Sequence, residues 1–556
     1  MSSHEIFGQK LYDGKTKTIY SMIDQPGLVC IQRKDSYHYS LPSTTVSENT
    51  VMRSRASSII NINSIMMKNI RKQSAIKAYY DIHGKGALTT SITICVFEIL
   101  RDAVIPTYYV APHPQSDIFI ARKCTMIPIL WIIRRLANET YIKRYPGIQK
   151  GHRFIPPLVE IYYKRHPVVY KKPILVDLET DTDSTESIID DEDDEEDESC
   201  VIIWSYEQLL NAKFDIENMK ITQTEVECMH ETVCAVFDIL EHVWLINTNC
   251  QLIDLKLEFG ITTTKEIVVA NVIDIETWHL VRNDLILNQQ LPSSNTFSTK
   301  QNCIHGDSDE DEIKNIKENI IWINDCLRDI LDMNKQQSNR GKRKSIVQQQ
   351  TVNETDETQI QMPEATFSQH EQTYLNKEST LTTTTKLFQS SGRCIIVCST
   401  SKDIEHGNRM KLILNESGIQ CDLRLCSTYK STQAILKLLA HYTFEHHRPT
   451  IFITIGNISN GLAMVLSANS QYPIIHCSVI NDTATTNHFL DINSFIMENI
   501  SYSLVFSIQS AIQTVMQILA MQDWRLWCKQ RGKRLRSYID LLIGDQHLTL
   551  ASNKNS

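Results

Sequence analysis

Three charged residues alternate with apolar ones in the run LIDLKLEFG, from Leu252 to Gly260. Side chains of a strand alternate between its two faces, so Asp254, Lys256 and Glu258 are predicted to share one face. Two carboxylates and an ammonium group on one face, next to a Phe-Gly pair, indicate a site for a charged ligand.

A glycine followed by lysines lies near the start of the sequence, in LYDGKTKTIY from Leu11 to Tyr20. Gly14 stands between two strand-like runs, and Lys15 and Lys17 follow it. A hairpin that presents ammonium groups is typical of a loop that closes over phosphates. The two runs together predict a site for a phosphorylated ligand.

These runs resemble SAICAR synthetase, the ATP-dependent ligase of purine biosynthesis, and further similar runs follow in that family's order. They are MIPILWIIRR (126–135), YIKR (141–144), ITQTEVE (221–227) and NVIDIETW (271–278). Downstream, the runs similar to AIR carboxylase are STSKD (399–403), STYK (427–430), SNGL (459–462) and SANSQYPII (467–475). The sequence is identified as a diverged member of the bifunctional family that has both activities.

For the first domain, the resemblance implies a ligase that phosphorylates the carboxylate of carboxyaminoimidazole ribotide (CAIR), after which the amine of aspartate attacks the acyl phosphate. It implies ATP and Mg²⁺ as cofactors. The implied catalytic residues are Lys256 and Asp274, and the implied metal ligands are Glu258 and Asn271. The implied ATP-binding residues are Lys15, Lys17, Lys85 and Glu258. The implied substrate-binding residues are Arg134, Arg135, Lys143 and Arg144.

Several positions of this implied ligase site depart from the family pattern. Asn271 replaces an aspartate, and an amide oxygen can coordinate Mg²⁺ but brings no negative charge, so we expect a weakened metal site. The other departures are Leu130 for a glutamate, Glu139-Thr140 for Gly-Ser and His279 for an arginine. They predict an impaired ligase, and the alternative is that neighbouring residues compensate.

The implied carboxylase site departs further. Tyr429 stands where the family has the histidine that moves a proton, and an ordinary tyrosine, with a pKa of about 10, is a poor acid and base near neutrality. Cys398 replaces a phosphate-site glycine, and Ile458 replaces an arginine. We therefore expect no carboxylase activity. The substrate-binding positions that the resemblance still implies are Ser399, Ser401, Asp403, Ser427 and Lys430.

The elements that must position these residues are predicted from periodicity. Short strands are expected over 11–35, a helix followed by two strands over 86–120, a long helix over 221–244, and a strand hairpin over 251–278. A helix over 313–333 has apolar residues at Ile316, Ile320, Ile323 and Leu327. From Cys394 onward, strands and helices alternate, which is typical of a doubly wound three-layer α/β domain, and a single helix over 508–536 is expected to close it.

At 556 residues the chain is too long for one core, since single cores rarely exceed roughly 250–300 residues. We expect an ATP-grasp-like α+β domain over 1–333, a Gln-, Ser- and Thr-rich linker over 334–391, an AIR carboxylase-like domain over 392–545, and a tail over 546–556. Compared with the family, 36–75 is an insertion, either a remodelled lid over the site or a tolerated surface segment. The stretch 177–199 is an acidic loop.

Composition limits the other function classes. Residues 177–198 contain fourteen Asp and Glu, more than the whole net charge of −9, so the rest of the chain is mildly basic, as suits a protein of phosphorylated ligands. The fifteen cysteines include no C-x-x-C pair, which favours free thiols in a reducing compartment. No apolar run reaches the roughly 20 residues of a membrane span, and the first ten residues lack the apolar core of a signal peptide. We expect a cytosolic protein with no membrane partner.

Three roles remain open at this stage. The first is an impaired ligase acting on the phosphoribosylated aminoimidazole and aspartate. The second is a non-catalytic scaffold that forms an octamer-type core with itself or with an active paralogue, because the carboxylase-like half keeps its apolar patterning. The third, nucleic-acid binding through RGKRK (340–344) and the basic segment near Lys529 to Arg536, is not expected, since the basic clusters lack interleaved stacking aromatics.

Overall fold

The computed structural model of the chain describes residues 7–40, 77–164, 201–283, 313–332, 390–428, 430–443, 448–457, 461–478 and 502–555. Most of the predicted insertion, the acidic loop and nearly all of the predicted linker lie outside these residues. The chain forms two compact units, the first comprising residues 1–101, 105–328 and 538–556, and the second comprising 102–104 and 329–537. The domain boundaries drawn from the sequence stay a proposal. None of the described helices is long and apolar enough to cross a bilayer.

The first unit contains two main antiparallel sheets. One has the strand order β1 (Phe7–Asp13), β2 (Lys17–Met22), β3 (Leu28–Arg33), β7 (Ile118–Arg122) and β6 (Tyr109–Pro112). The other has the order β10 (Val201–Trp204), β9 (Arg153–Lys164), β8 (Cys124–Leu136), β13 (Cys250–Thr262) and β14 (Ile267–Ala270), and β15 (Trp278–Arg282) also pairs with β13. Smaller pairs are β4 (Ser36–Ser40) with β5 (Lys77–Asp81) and β11 (Asp215–Ile216) with β12 (Met219–Lys220).

The helices of this unit are α1 (Lys85–Asp102), α2 (Glu139–Arg144), α3 (Tyr206–Asn211), α4 (Gln223–Thr248) and α5 (313–332). Helix α4 begins at a capping box formed by Thr222 and Glu225 and ends at Asn249, whose φ of 54° is left-handed. It packs on one face of β13 and β8, where Trp131, Leu255 and Leu257 are buried. The opposite face of the same strands is therefore left for the charged residues.

The second unit is a parallel sheet with the order β17 (Gln420–Leu425), β16 (Arg393–Cys398), β18 (Thr450–Ile455), β19 (Ile474–Cys477) and β20 (Ser503–Val505). Alternate residues of β16 enter two separate cores. Ile396 packs with residues of α6 (Ile404–Glu416) and α9 (Ile508–Ala520), whereas Ile395 packs with residues of α7 (Thr432–Thr443) and α8 (Leu462–Ala468). Helices on both faces of the sheet confirm the three-layer prediction.

The predicted helix over 508–536 is wrong in one respect, because the structure contains two helices there. Helix α9 ends at Ala520, and α10 (Trp524–Asn555) begins after a turn. The Asp523 carboxylate accepts hydrogen bonds from Arg525 N at 3.1 Å and from Leu526 N at 3.5 Å, so Asp523 caps the new helix. Helix α10 also includes residues 546–555 of the predicted tail.

Replacement of Ser507 by alanine is expected to lower the free energy of unfolding by about 1 kcal/mol. The Ser507 hydroxyl accepts a hydrogen bond from Ser510 N at 3.0 Å and caps α9. Urea titration would measure the loss. Thr514→Ala in the same helix is the control, because the Thr514 hydroxyl only donates to Ser510 O within the helix. Equal losses in the two variants would contradict the capping role.

Candidate functional site

The predicted charged strand face is formed as expected. In β13, Asp254 pairs with Arg134 of β8, Lys256 with Ile132, and Glu258 with Leu130. Paired residues of an antiparallel sheet lie on the same face. Leu130, which stands where the family has a glutamate, is therefore the direct cross-strand neighbour of Glu258.

Glu258 is the centre of a hydrogen-bonded cluster. Its Oε1 accepts from Asn271 Nδ2 at 2.7 Å and from Lys164 Nζ at 2.8 Å. Asn271 Oδ1 accepts a hydrogen bond from Lys17 Nζ, so the amide links an ammonium group to the carboxylate. Burial alone would raise the pKa of Glu258, but Lys164 and Lys17 hold it below its usual value. Glu258 is therefore ionised at neutral pH.

These residues fit Mg²⁺ poorly. The ion favours an octahedral set of oxygen ligands that includes one or two carboxylates. Here Glu258 supplies one carboxylate, and both Asn271 side-chain atoms already have partners in the cluster. Among the residues that the structure describes, no group of three or more His, Cys, Asp or Glu side chains could hold a metal ion. Of the two residues that the resemblance implies as metal ligands, only Glu258 thus supplies a carboxylate.

A second cluster of charges is buried beside the N-terminal sheet. Arg33 Nη2 donates to Asp274 Oδ2 at 2.6 Å and to Glu276 Oε2 at 3.1 Å, and Lys85 Nζ donates to Glu276 Oε1 and to Ser36 O. Asp274 and Lys85 have no exposed surface. Burial raises the pKa of Asp274, and Arg33 opposes that rise. Both residues were predicted to act on ligands, and both are engaged with protein groups here.

The start of α1 explains the Gly-Lys-Gly run at 84–86. Gly84 has a φ of 83°, which favours glycine, and a Cβ on Gly86 would lie 2.7 Å from Arg33 O. The Asp35 carboxylate accepts from Gly84 N at 3.0 Å and from Gly86 N at 2.8 Å. The two glycines and Asp35 together direct Lys85 inward to Glu276.

A third cluster surrounds Asp254. Its Oδ2 accepts from Arg134 Nη1 and from Asn138 Nδ2, each at 2.6 Å, and its Oδ1 lies 2.5 Å from His279 Nδ1. Burial alone would raise the pKa of Asp254, but His279 and Arg134 hold it below its usual value. Arg134 also donates to Glu160 at 2.6 Å. His279, which stands where the family has an arginine, thus contacts this carboxylate.

The remaining predicted residues of the first unit are not all brought together. Arg135 lies on the opposite face of β8 from Arg134 and forms a two-point ion pair with Glu241 of α4, at 2.7 and 2.6 Å. Arg144 donates to Glu160 at 3.0 Å. Lys15 and Lys143 are exposed. Their assignment to substrate or ATP stays a prediction.

Lys256 differs from the other cations of this face. It is half-buried, and among the described residues its ammonium group has neither a hydrogen bond nor an ion pair. Its charge still acts on the neighbouring carboxylate, since it helps to lower the pKa of Asp254. Lys256 is therefore available to an anionic ligand.

In the second unit, the predicted residues gather at the carboxyl edge of the sheet. Asp403 Oδ2 accepts from Ser399 Oγ at 3.0 Å and from Thr400 N at 2.9 Å. Cys398, in the place of a glycine, points its thiol inward, where a Cβ on Gly407 would lie 2.9 Å from it. Burial raises the pKa of the Cys398 thiol to about 12. The Asp403 and Cys398 side chains thus stabilise the loop that contains them.

The neighbouring loop after β17 contains Ser427 and Lys430. Ser427 O accepts from Lys430 N at 3.3 Å and from Ser431 N at 3.0 Å, which forms a tight turn, and the Lys430 side chain is exposed. Ser401 is exposed as well. Tyr429 and Ile458 lie outside the described residues, so their predicted roles stay predictions.

One histidine at this edge was not predicted from the sequence. His476 of β19 is 1% exposed, and its Nδ1 lies 2.7 Å from Thr454 Oγ1. Its Nε2 has no hydrogen-bond partner among the described residues. Burial lowers the pKa of His476 to about 4, although Asp403 opposes the shift. The sequence feature that could have identified it is a histidine within the otherwise apolar strand PIIHC.

In the first unit, the residues that were missed are Arg33, Asp35, Asn138, Glu160, Lys164 and Glu276. Asp35 accepts from the glycines on either side of Lys85, and each of the others is a hydrogen-bond partner of a predicted residue. Glu276 is part of the run NVIDIETW and could have been found there. The others have no distinctive local pattern.

Comparison with known proteins identifies both halves. Residues 61–169 and 192–296 match the family model for SAICAR synthetase, and residues 393–537 match the model for AIR carboxylase. The chain is 28% identical over 546 residues to the bifunctional phosphoribosylaminoimidazole carboxylase/phosphoribosylaminoimidazole succinocarboxamide synthetase of Rattus norvegicus, covering 97% of each chain. The Homo sapiens protein of the same name is 27% identical over 546 residues, again covering 97% of each chain.

Among solved structures, the first unit is similar to phosphoribosylaminoimidazole-succinocarboxamide synthase from Ehrlichia chaffeensis, with a TM-score of 0.33 and 20% identity over 50% of this chain and 92% of that one. The two family matches together span more than half of the chain and occur in the order found in the relatives. The protein is therefore a diverged member of the bifunctional SAICAR synthetase and AIR carboxylase family of purine biosynthesis.

Proposed function

We propose that the first unit binds ATP and joins CAIR to aspartate with reduced efficiency, and that the second unit has lost carboxylase chemistry. The ligase half of this proposal depends on Lys256. Most of its charged neighbours on the same strand face are held by protein partners, whereas Lys256 has none among the described residues. An uncommitted ammonium group on the same strand face as the buried Asp254 and the partly buried Glu258 is suited to an anionic substrate.

The chemistry needs a positive field around a transferred phosphoryl group. ATP, when bound, supplies that group and activates the substrate carboxylate. Lys256 is proposed to hold the anionic substrate or a phosphate oxygen, and Lys17 to neutralise the phosphates from the other side of Glu258. Asn271 links Lys17 to Glu258, and Lys256 is attracted to Asp254 by charge alone, without a hydrogen bond. Reduced efficiency follows from the poor fit of Mg²⁺ to this site.

The test is ADP release by the purified full chain with CAIR and aspartate at saturating Mg²⁺. We expect slow release that requires both substrates and falls at least tenfold in Lys256→Met, which keeps most of the stem and removes the charge. Lys220→Met, at an exposed strand end, is the matched control. Release that does not depend on both substrates would overturn the ligase proposal.

The carboxylase half of the proposal combines sequence and packing. Tyr429 replaces the expected imidazole in the sequence, and the Cys398 side chain fills the space that a glycine would leave open. Asp403 turns its carboxylate toward its own loop. We propose that Tyr429, since an ordinary tyrosine has a pKa of about 10, does not replace that imidazole as a proton carrier near neutrality.

A non-catalytic scaffold is the second candidate. The observation in its favour is that the described residues of the second unit form two buried apolar cores although its site has diverged in sequence. We propose that this unit assembles with itself or with an active paralogue in the cytosol. Co-purification with a tagged active relative would support assembly, and a strictly monomeric chain in sedimentation would refute it.

A further inference from the structure

The Asn271 side chain holds two groups together in a way that an aspartate could not. Its Nδ2 donates to Glu258 Oε1 at 2.7 Å, while its Oδ1 accepts from Lys17 Nζ. With aspartate at this position, two carboxylate oxygens would lie at hydrogen-bond distance with no proton between them. Such a pair would bind a metal cation or a proton more readily than a carboxylate and an amide do, even beside the Lys17 and Lys164 ammonium groups. The amide lowers that tendency.

Lys164 adds a second ammonium group to the same carboxylate. Its Nζ lies 2.8 Å from Glu258 Oε1, and its side chain is 39% exposed. The cluster thus contains two ammonium groups, one carboxylate and one neutral amide, and has a net charge of +1. An ammonium group has three donors, and Lys164 uses one of them on Glu258, so others can reach a phosphate oxygen.

We propose that this chain binds the phosphates of an adenine nucleotide without Mg²⁺, with the Lys17 and Lys164 ammonium groups supplying the positive charge. This inference rests on the nucleotide site proposed above. It differs from a merely weakened metal site, because it predicts that added Mg²⁺ leaves the affinity almost unchanged. Leu130 next to Glu258 agrees with it, since an apolar neighbour provides no further metal ligand.

The test is calorimetric titration of the full chain with ADP, once in EDTA and once in excess Mg²⁺ at equal ionic strength. We expect the two dissociation constants to agree within fivefold. Tightening by more than fivefold in Mg²⁺ would overturn the inference and leave the nucleotide site standing. Absence of binding in both buffers would overturn the inference and the nucleotide site together.

Two variants locate the effect. Asn271→Asp should weaken ADP binding at least tenfold in EDTA, because the new carboxylate repels the phosphates and lowers the net charge of the cluster from +1 to 0, and it should regain affinity when Mg²⁺ binds between the carboxylates and the phosphates. A misfolded variant would stay weak in both buffers, which circular dichroism would identify, so Mg²⁺ rescue is the diagnostic result. Lys164→Met should lose about tenfold in both buffers.

The matched control for the first variant is Asn249→Asp. Asn249 has a similar left-handed φ of 54° and lies exposed at the end of α4, away from the charged face. The Asn249→Asp variant adds the same negative charge and also places an aspartate at a left-handed φ. Its ADP affinity should equal that of the parent in both buffers. If Asn271→Asp behaves like Asn249→Asp, the inference is wrong.

Discussion

Replacing Arg33 by methionine is expected to remove about 3–5 kcal/mol from the free energy of unfolding of the first unit. Arg33 is 3% exposed and its Nη2 lies 2.6 Å from Asp274 Oδ2. Asp274 has no exposed surface, so the variant leaves a buried carboxylate without its main partner. Lys85 can replace Arg33 only in part, because its charge also lowers the pKa of Asp274 but it already donates to Glu276 and to Ser36 O.

Urea titration of the full chain, followed by tryptophan fluorescence, would measure this loss. Five of the seven tryptophans belong to the first unit, so the signal reports mainly on it. The control is Arg101→Met, which breaks an exposed pair with Glu98 and should cost under about 1 kcal/mol. The free energy of unfolding lost in Arg33→Met should also become smaller as the pH falls to 5, because the unpaired Asp274 can then bind a proton. Equal losses in the two variants would show that the buried network contributes little.

The sequence predicted the charged face of β13 because that face depends only on alternation along one strand. It predicted the second unit for a similar reason, since each buried strand and each following helix has a local pattern. The Arg33 network could not be predicted in this way. Arg33 and Asp274 are 241 positions apart, and nothing local to either residue indicates the other.

Two site predictions show what local patterns leave out. Arg134 and Arg135 were assigned to one substrate site, but neighbouring strand residues face opposite sides, and Arg135 contacts Glu241 behind the sheet. Asn271 was recognised as a loss of charge. That its amide would link Lys17 to Glu258 depends on three segments meeting, and so required the structure.

Stability of the second unit is expected to fall by about 2 kcal/mol between pH 7 and pH 5 because of His476. Burial lowers the pKa of His476 to about 4, whereas an unfolded histidine has a pKa near 6.5. Between these values the unfolded chain binds the proton and the folded chain does not. The contribution is therefore fully present above pH 6.5, and it is lost progressively as the pH falls toward 4.

Hydrogen exchange of the amides in β16 and β18 would measure this effect, because these strands form the centre of the second unit. His476→Asn keeps a polar partner for Thr454 but does not titrate, so its opening free energy should fall by about 2 kcal/mol less than that of the parent over this range. Comparison at each pH removes the intrinsic pH dependence of exchange. His441→Asn, on an exposed side chain of α7, should follow the parent. If His476→Asn follows the parent too, the buried imidazole is protonated in the folded state, and Asp403 then outweighs burial at the carboxyl edge of the sheet.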